Sequence, residues 1–128
     1  MQKKWILVAD DQNEILSLLN DSLSNRGFEV VLCRESKNAL YLIKSLKPAL
    51  ILLDLMMPDV NGFEICEILN KDPETCGIPI IIISGFDDEI AVKKAYKLGV
   101  VGYFVKPFAL SDLCNEIEKV LANKEKPL

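Results

Sequence analysis

The sequence predicts an α/β domain: a doubly wound parallel sheet of five strands with helices on both faces. Three observations predict it. Short apolar runs recur at similar intervals, at 5–9, 28–33, 49–53, 79–83 and 101–105. The stretches between them carry apolar residues at helical spacing. The run at 49–53, bracketed by Pro48 and Pro58, shows no polar alternation, which marks a strand buried on both faces.

Each element can be justified in turn. The first run, 5–9, leads into Asp10-Asp11. The stretch from Asn13 to Arg26 repeats Ile15, Leu19 and Leu23, flanked by Leu16 and Leu18, and stops at Gly27, a C-terminal cap residue. After the second run, Ser36 is placed as N-cap of a helix with Ala39, Leu40, Ile43 and Leu46 on one face; Pro48 closes it. Asn61 caps a third helix bearing Phe63, Cys66 and Leu69, ended by Asp72-Pro73. Asp87 and Asp88 suit the positive end of a fourth helix carrying Ile90, Ala91, Ala95 and Leu98, with Gly99 as its stop. Leu110 or Ser111 opens a fifth, with Leu113, Ile117, Val120 and Leu121 inward. Strands alternating with helices of this length imply parallel pairing and right-handed crossovers. Five βα units fit the flavodoxin-like strand order 2-1-3-4-5. Ligands in such sheets bind beyond the strands' carboxyl ends, where the order reverses, here between strands 1 and 3.

Composition narrows the function. A chain of 128 residues, half of them hydrophobic, makes one domain, placed at 1–123, with a charged, Pro-containing tail at 124–128. The net charge of −4, from 19 acidic and 15 basic residues, argues against direct nucleic-acid binding. The absence of His removes imidazole catalysis and His-ligated zinc. The basic-then-apolar start is too short for a signal peptide, and no stretch approaches the ~20 apolar residues of a membrane span. Cys33, Cys66, Cys76 and Cys114 form no CxxC pair and read as reduced, mostly buried thiols. A cytoplasmic protein with no membrane association is expected.

The strand ends carry the chemistry. Strand 1 ends in Asp10-Asp11, strand 3 in Asp54, strand 4 in Ser84-Gly85 and strand 5 in Lys106-Pro107. Taken singly, each has a plain explanation: a helix cap, a turn, a loop, a solvated lysine. Taken together, they place three carboxylates, a hydroxyl and an ammonium on the rim that the topology designates. Three clustered carboxylates repel unless a cation intervenes. Oxygen donors without His or thiolate suit Mg²⁺. Lys106 supplies the compact charge that binds phosphate, and Ser84 a hydrogen-bond donor. Around one Asp, this set suits a phosphoryl group, with Asp54 as nucleophile.

These segments resemble the receiver domain of two-component response regulators, the CheY-like superfamily. The matching pieces are Leu7 to Asp11, Asp54 to Pro58 with Gly62, Ile81 to Gly85, and Gly102 to Phe108; the resemblance runs from about Lys4 to Asn123. The separations of 43 from Asp11 to Asp54, 30 from Asp54 to Ser84 and 22 from Ser84 to Lys106 also match the family pattern. The resemblance implies a phosphorylation-dependent signalling switch. Asp54 would accept a phosphoryl group from the phosphohistidine of a sensor kinase or phosphotransfer protein. Asp11, Asp54 and the Met56 backbone carbonyl would hold Mg²⁺, or Mn²⁺ as the alternative, with Asp10 acting mainly through a water. Ser84 and Lys106 would bind phosphoryl oxygens, Tyr103 would be the switch aromatic, and Pro58, Gly62 and Pro107 would be structural, Pro107 after a cis bond. The fourth helix, fifth strand and fifth helix would form the output face. The basic Lys93, Lys94 and Lys97 and the acidic Asp112, Glu116 and Glu118 could pair there across a symmetric homodimer.

Ser84 stands where Thr is commoner in the family and keeps the hydroxyl. Met56 and Phe86 are bulky and apolar beside the expected phosphate path, so both are expected to shield an acyl phosphate from in-line water. Two other classes are weighed. An aspartyl phosphatase or phosphotransferase usually places a second acid two residues after its nucleophile; here that residue is Met56. A flavin-binding module needs a phosphate-cradling loop after strand 1, and Asp10-Asp11-Gln12 repels phosphate. The chain is expected to be either a free-standing receiver or the N-terminal domain of a longer regulator.

Overall fold

The computed structural model describes residues 4–125. Five strands, β1 (Trp5–Ala9), β2 (Glu29–Cys33), β3 (Leu50–Asp54), β4 (Ile80–Ser84) and β5 (Gly102–Val105), alternate with five helices: α1 (Asn13–Asn25), α2 (Ser36–Leu46), α3 (Gly62–Lys71), α4 (Glu89–Lys97) and α5 (Leu110–Glu125). All strands pair in parallel in the order β2-β1-β3-β4-β5, as the sequence predicts. Leu110, one of the two candidates, opens α5, and the helix takes in Lys124 and Glu125. Residues 1–3 and 126–128 lie outside the described residues, and with them the basic start and the rest of the tail.

Strand alternation explains why the central strands are apolar throughout. Ile6, Val8, Leu50, Leu52, Ile81 and Ile83 pack against α1 and α5, while Leu7, Ala9, Ile51, Leu53, Ile80 and Ile82 pack against α2, α3 and α4. A polar side chain inside either layer would be stranded without water. Polar chemistry is therefore confined to the strand ends.

Most of the expected helix punctuation is present. Gly27 and Gly99 follow α1 and α4 with φ of 93° and 97°, the left-handed region that glycine adopts at least cost. Asn61 and Asp88 cap α3 and α4 by accepting the N–H of Phe63 and of Ala91. Two expectations fail. Ser36 is not a cap: Glu35 holds that position, and Ser36 is the first helical residue, buried. Its Oγ donates to the Pro58 carbonyl at 2.7 Å and accepts from the Val60 N–H at 3.0 Å, so long-range partners outcompete its own helix end. Ile90 does not face inward but is 79% exposed, because the Ala91–Ala95 stripe turns to the sheet and Ile90 sits about 100° around the helix from it. Leu18 is likewise on the solvent side of α1, and Leu46, in line with Ala39 and Ile43 but at the last position of α2, is also exposed.

Candidate functional site

Parallel register brings the strand ends to one rim. Ala9 pairs with Leu53, so Asp10 and Asp54 follow side by side; Ser84 pairs with Val105, so Lys106 lies next to Gly85. The Lys106 N–H also donates to the Ser84 carbonyl at 2.7 Å, carrying the pairing past the strand. Asp10 and Asp54 are both buried, at 0% and 3% exposure. The Lys106 Nζ reaches both, at 2.7 Å from Asp10 Oδ2 and 3.2 Å from Asp54 Oδ2, and donates at 2.7 Å to Gln12 Oε1 as well. The Lys106–Pro107 peptide is cis. The remaining oxygens are also occupied: Asp10 Oδ1 accepts the Gln12 N–H and Asp54 Oδ1 the Met56 N–H.

The electrostatics follow from this packing. Burial pushes the Asp10 carboxyl up; the bonds from Lys106 and the Gln12 N–H pull it back, the Asp54 charge pushes it up again, and the net shift is upward. Burial works against the charge on Lys106, but the Asp10 hydrogen bond and the attraction of Asp10 and Asp54 outweigh it, leaving its pKa raised. The lysine is therefore a firm cation set between two buried carboxylates.

Above this group opens a cleft of about 400 Å³ lined by Asp11, Gln12, Asp54, Met56, Gly85 and Lys106. One carboxylate oxygen from each of Asp10, Asp11 and Asp54 lies within 4.8 Å of the others, a donor set of hard oxygens only. These residues fit a divalent cation of the Mg²⁺ type, which takes few protein carboxylates and retains waters. Asp10 has both oxygens engaged within the protein, whereas Asp11 is exposed.

The chain matches the family model for the response regulator receiver domain over residues 6–118. It is a receiver domain. It is 36% identical over 126 residues to the probable transcriptional regulator ycf27 of Porphyridium aerugineum, covering 98% of this chain and 51% of that protein. It is 31% identical over 123 residues to the DNA-binding response regulator MtrA of Mycolicibacterium smegmatis, covering 96% of this chain and 53% of that one. The receiver thus spans about half the length of these relatives. Among solved structures, a CheY-like receiver domain protein of Methanospirillum hungatei superposes with a TM-score of 0.90 at 27% identity, covering 97% of this chain and 98% of that one. The Francisella response regulator 1452 receiver domain superposes at 0.88, also at 27% identity, covering 96% and 100%. Receiver domains of this kind are phosphorylation-dependent signalling switches.

Not every anticipated residue of the receiver faces the cleft. Ser84 is fully buried behind Gly85, its Oγ accepting the Phe86 N–H at 3.1 Å. Tyr103 is partly buried against the α2–α4 layer, and its hydroxyl donates to the Phe86 carbonyl at 2.9 Å. Burial pushes that hydroxyl's pKa up; the Ser84 hydroxyl opposes this, and the carboxylates Asp88, Asp54 and Asp87 add to it. Ser84, Phe86 and Tyr103 form one hydrogen-bonded chain away from the acid cluster. Met56 lines the cleft with its side chain half exposed, whereas Phe86 lines a second, smaller depression with Phe63, Asp88, Ile90, Ala91 and Lys94. Of the two residues expected from the sequence to act as a shield, only Met56 lines the cleft. Gly62 packs where a Cβ would stand 2.7 Å from the Leu55 Cα and 3.2 Å from the Asp54 carbonyl oxygen. Sequence reading missed two residues: Gln12, whose only signal is its place directly after Asp10-Asp11, and the Ser36 tether, which local pattern disguises as a cap.

Proposed function

We propose that the receiver accepts a phosphoryl group on Asp54. A carboxylate oxygen attacks the phosphorus of a phosphohistidine on a sensor kinase or phosphotransfer protein; the P–N bond breaks as the P–O bond forms. The observation that carries this reading is the Lys106 ammonium bridging buried Asp10 and Asp54 at the edge of an open cleft. A preplaced cation of this kind meets negative charge as it develops on the transferred group. Asp11, Asp54 and the Met56 carbonyl are the direct oxygen donors for Mg²⁺ or Mn²⁺, and Asp10 acts mainly through a water. When bound, the metal neutralises phosphoryl charge. Ser84 supplies a second donor once its hydroxyl turns outward, and the turn draws on Phe86 and Tyr103. Pro58, Gly62 and Pro107 shape the loops that present these groups.

The domain acts on itself rather than turning over external substrates: Met56 stands where an aspartyl phosphotransferase keeps its general acid. Phosphorylation adds about −1.5 to −2 charges to an acidic rim. The response is carried by α4, β5 and α5 to an output domain or partner, with a homodimer across these elements as one form. Nucleic-acid contact belongs to an output domain and not to these residues, with their net charge of −4. The four free cysteines support a reducing, cytoplasmic setting. Among the described residues no helix is long and apolar enough to cross a membrane. Residues 1–123 form the receiver proper.

Intact mass after incubation with acetyl phosphate and Mg²⁺ tests the assignment. Wild type is expected to gain one phosphoryl adduct and Asp54→Ala none; an adduct that persists in Asp54→Ala overturns it.

A further inference from the structure

Gln12 touches both members of the buried ion pair. Its backbone N–H donates to Asp10 Oδ1 at 2.8 Å, Asp10 Oδ2 accepts from Lys106 Nζ at 2.7 Å, and the same Nζ donates to Gln12 Oε1 at 2.7 Å. These three residues close a ring. The backbone of Gln12 is itself fixed, because it is the N-cap position of α1 and its carbonyl accepts the Leu16 N–H. An ammonium has three protons. Two are taken by the ring and the third is left for Asp54 Oδ2 at 3.2 Å, the longest of the three contacts.

We propose that Gln12 is a positioning residue for phosphoryl binding: its side-chain carbonyl holds the Lys106 ammonium so that its remaining donor faces the Asp54 acceptor. This rests on the reading of Asp54 and Lys106 given above. Without the Gln12 oxygen, a second Lys106 donor is free to turn onto the Asp54 carboxylate. The lysine then pairs more tightly with the acceptor and meets the incoming group less well. An amide suits this place better than a carboxylate would. It supplies an acceptor oxygen without adding a fourth negative charge to a rim that must receive a phosphoryl anion. Gln12 lines the same cleft as Asp11 and Asp54.

The probe is beryllofluoride, a phosphoryl mimic, titrated in the presence of Mg²⁺. Wild type is compared with Gln12→Leu, Lys106→Ala and the double variant, and melting temperatures are measured alongside. Gln12→Leu is expected to weaken beryllofluoride binding ~3–10-fold, an exposed hydrogen bond to a charged group being worth about that much or somewhat more. In the Lys106→Ala background the same substitution is expected to change nothing, since the effect passes through the ammonium. The Lys106 Nζ resonance in wild type is expected to move on Gln12→Leu before any ligand is added. An equal loss from Gln12→Leu with and without Lys106 overturns the proposal, as does wild-type affinity in Gln12→Leu. If Lys106→Ala itself binds beryllofluoride normally, the underlying reading of the site fails and this inference with it.

Discussion

Two side chains at the residue scale carry predictions of their own. Met56 lies over Gly85 closely enough that a Cβ there would stand 3.3 Å from its sulfur, and it lines the cleft above Asp54. On the proposed function, water approaching in line with an acyl phosphate on Asp54 is expected to pass it. Met56→Asn, which replaces an apolar cover with a group able to orient water, is expected to speed loss of the phosphoryl group several-fold, measured as decay of the mass adduct. Phe86→Ala is expected to act far less, because Phe86 lines the neighbouring depression. Cys66 is a different case. Its thiol is fully buried in the α2–α4 layer, and burial pushes its pKa from 9.0 up to about 12. The folded state therefore favours the neutral thiol. That contribution is complete below pH 9 and is lost as the pH rises from about 9 toward 12, by about 1.4 kcal/mol per unit. Denaturant titrations of wild type and Cys66→Ala over that window are expected to converge as the pH rises. At neutral pH a thiol reagent is expected to reach Cys76 readily in the native state and Cys33, Cys66 and Cys114 only on unfolding, since these three are buried.

At the scale of elements, α3 and the loop before it hold the end of β3. Ser36 fastens that loop to α2 through Pro58 and Val60, and Asp59 between them takes a φ of 71°. Gly62 opens α3 directly against the end of β3. Gly62→Ala is expected to destabilise the fold by about 1–3 kcal/mol, the cost of overpacking, and to weaken Mg²⁺ binding by displacing Leu55 and the Asp54 main chain. Urea titration and metal titration read the two effects separately. A small change in both would show that the loop yields easily. Such contacts show where sequence reading stops. Asn61, Asp88, Gly27 and Gly99 were legible because a cap answers to its own helix. Ser36 was not, because its partners are 22 and 24 residues away. Ile90 was misplaced because α4 buries only small residues, Ala91 and Ala95, and a large apolar neighbour outweighs them in any pattern.

For the whole molecule, two apolar layers on a five-stranded sheet push the polar groups of the central strands to the strand ends. Fold and rim were legible together, because strand order follows from the βα alternation and the order selects the ends that meet. The orientation of side chains on the rim was not. Ser84 and Tyr103, expected at the site from the sequence, are bonded through Phe86, and only coordinates show that. The rim also sets a prediction for stability. Asp10, Asp11 and Asp54 crowd one another, so a divalent ion bound there stabilises the folded state. Mg²⁺ at about 100 times its dissociation constant is expected to add about 2.7 kcal/mol, seen as a melting temperature raised by several degrees. Asp11→Asn removes an exposed carboxylate from the cluster. It is expected to melt near wild type without metal and to lose most of the gain with it. A full gain in Asp11→Asn would place the ion elsewhere.

The contact at Gly62 has a mechanical consequence. Side chains in contact can change rotamer and give way, but two of the three atoms nearest a Cβ on Gly62 would be main chain, the Leu55 Cα and the Asp54 carbonyl oxygen, with the Leu55 Cδ2 as the third. The end of β3 therefore has little room to move toward the start of α3. The loop after β4 is different: Gly85, the Phe86 carbonyl and a partly exposed tyrosine make a stretch held by a few hydrogen bonds. If Asp54 takes the phosphoryl group as proposed, the displacement is expected to go toward β4, β5 and the start of α4 rather than toward α3.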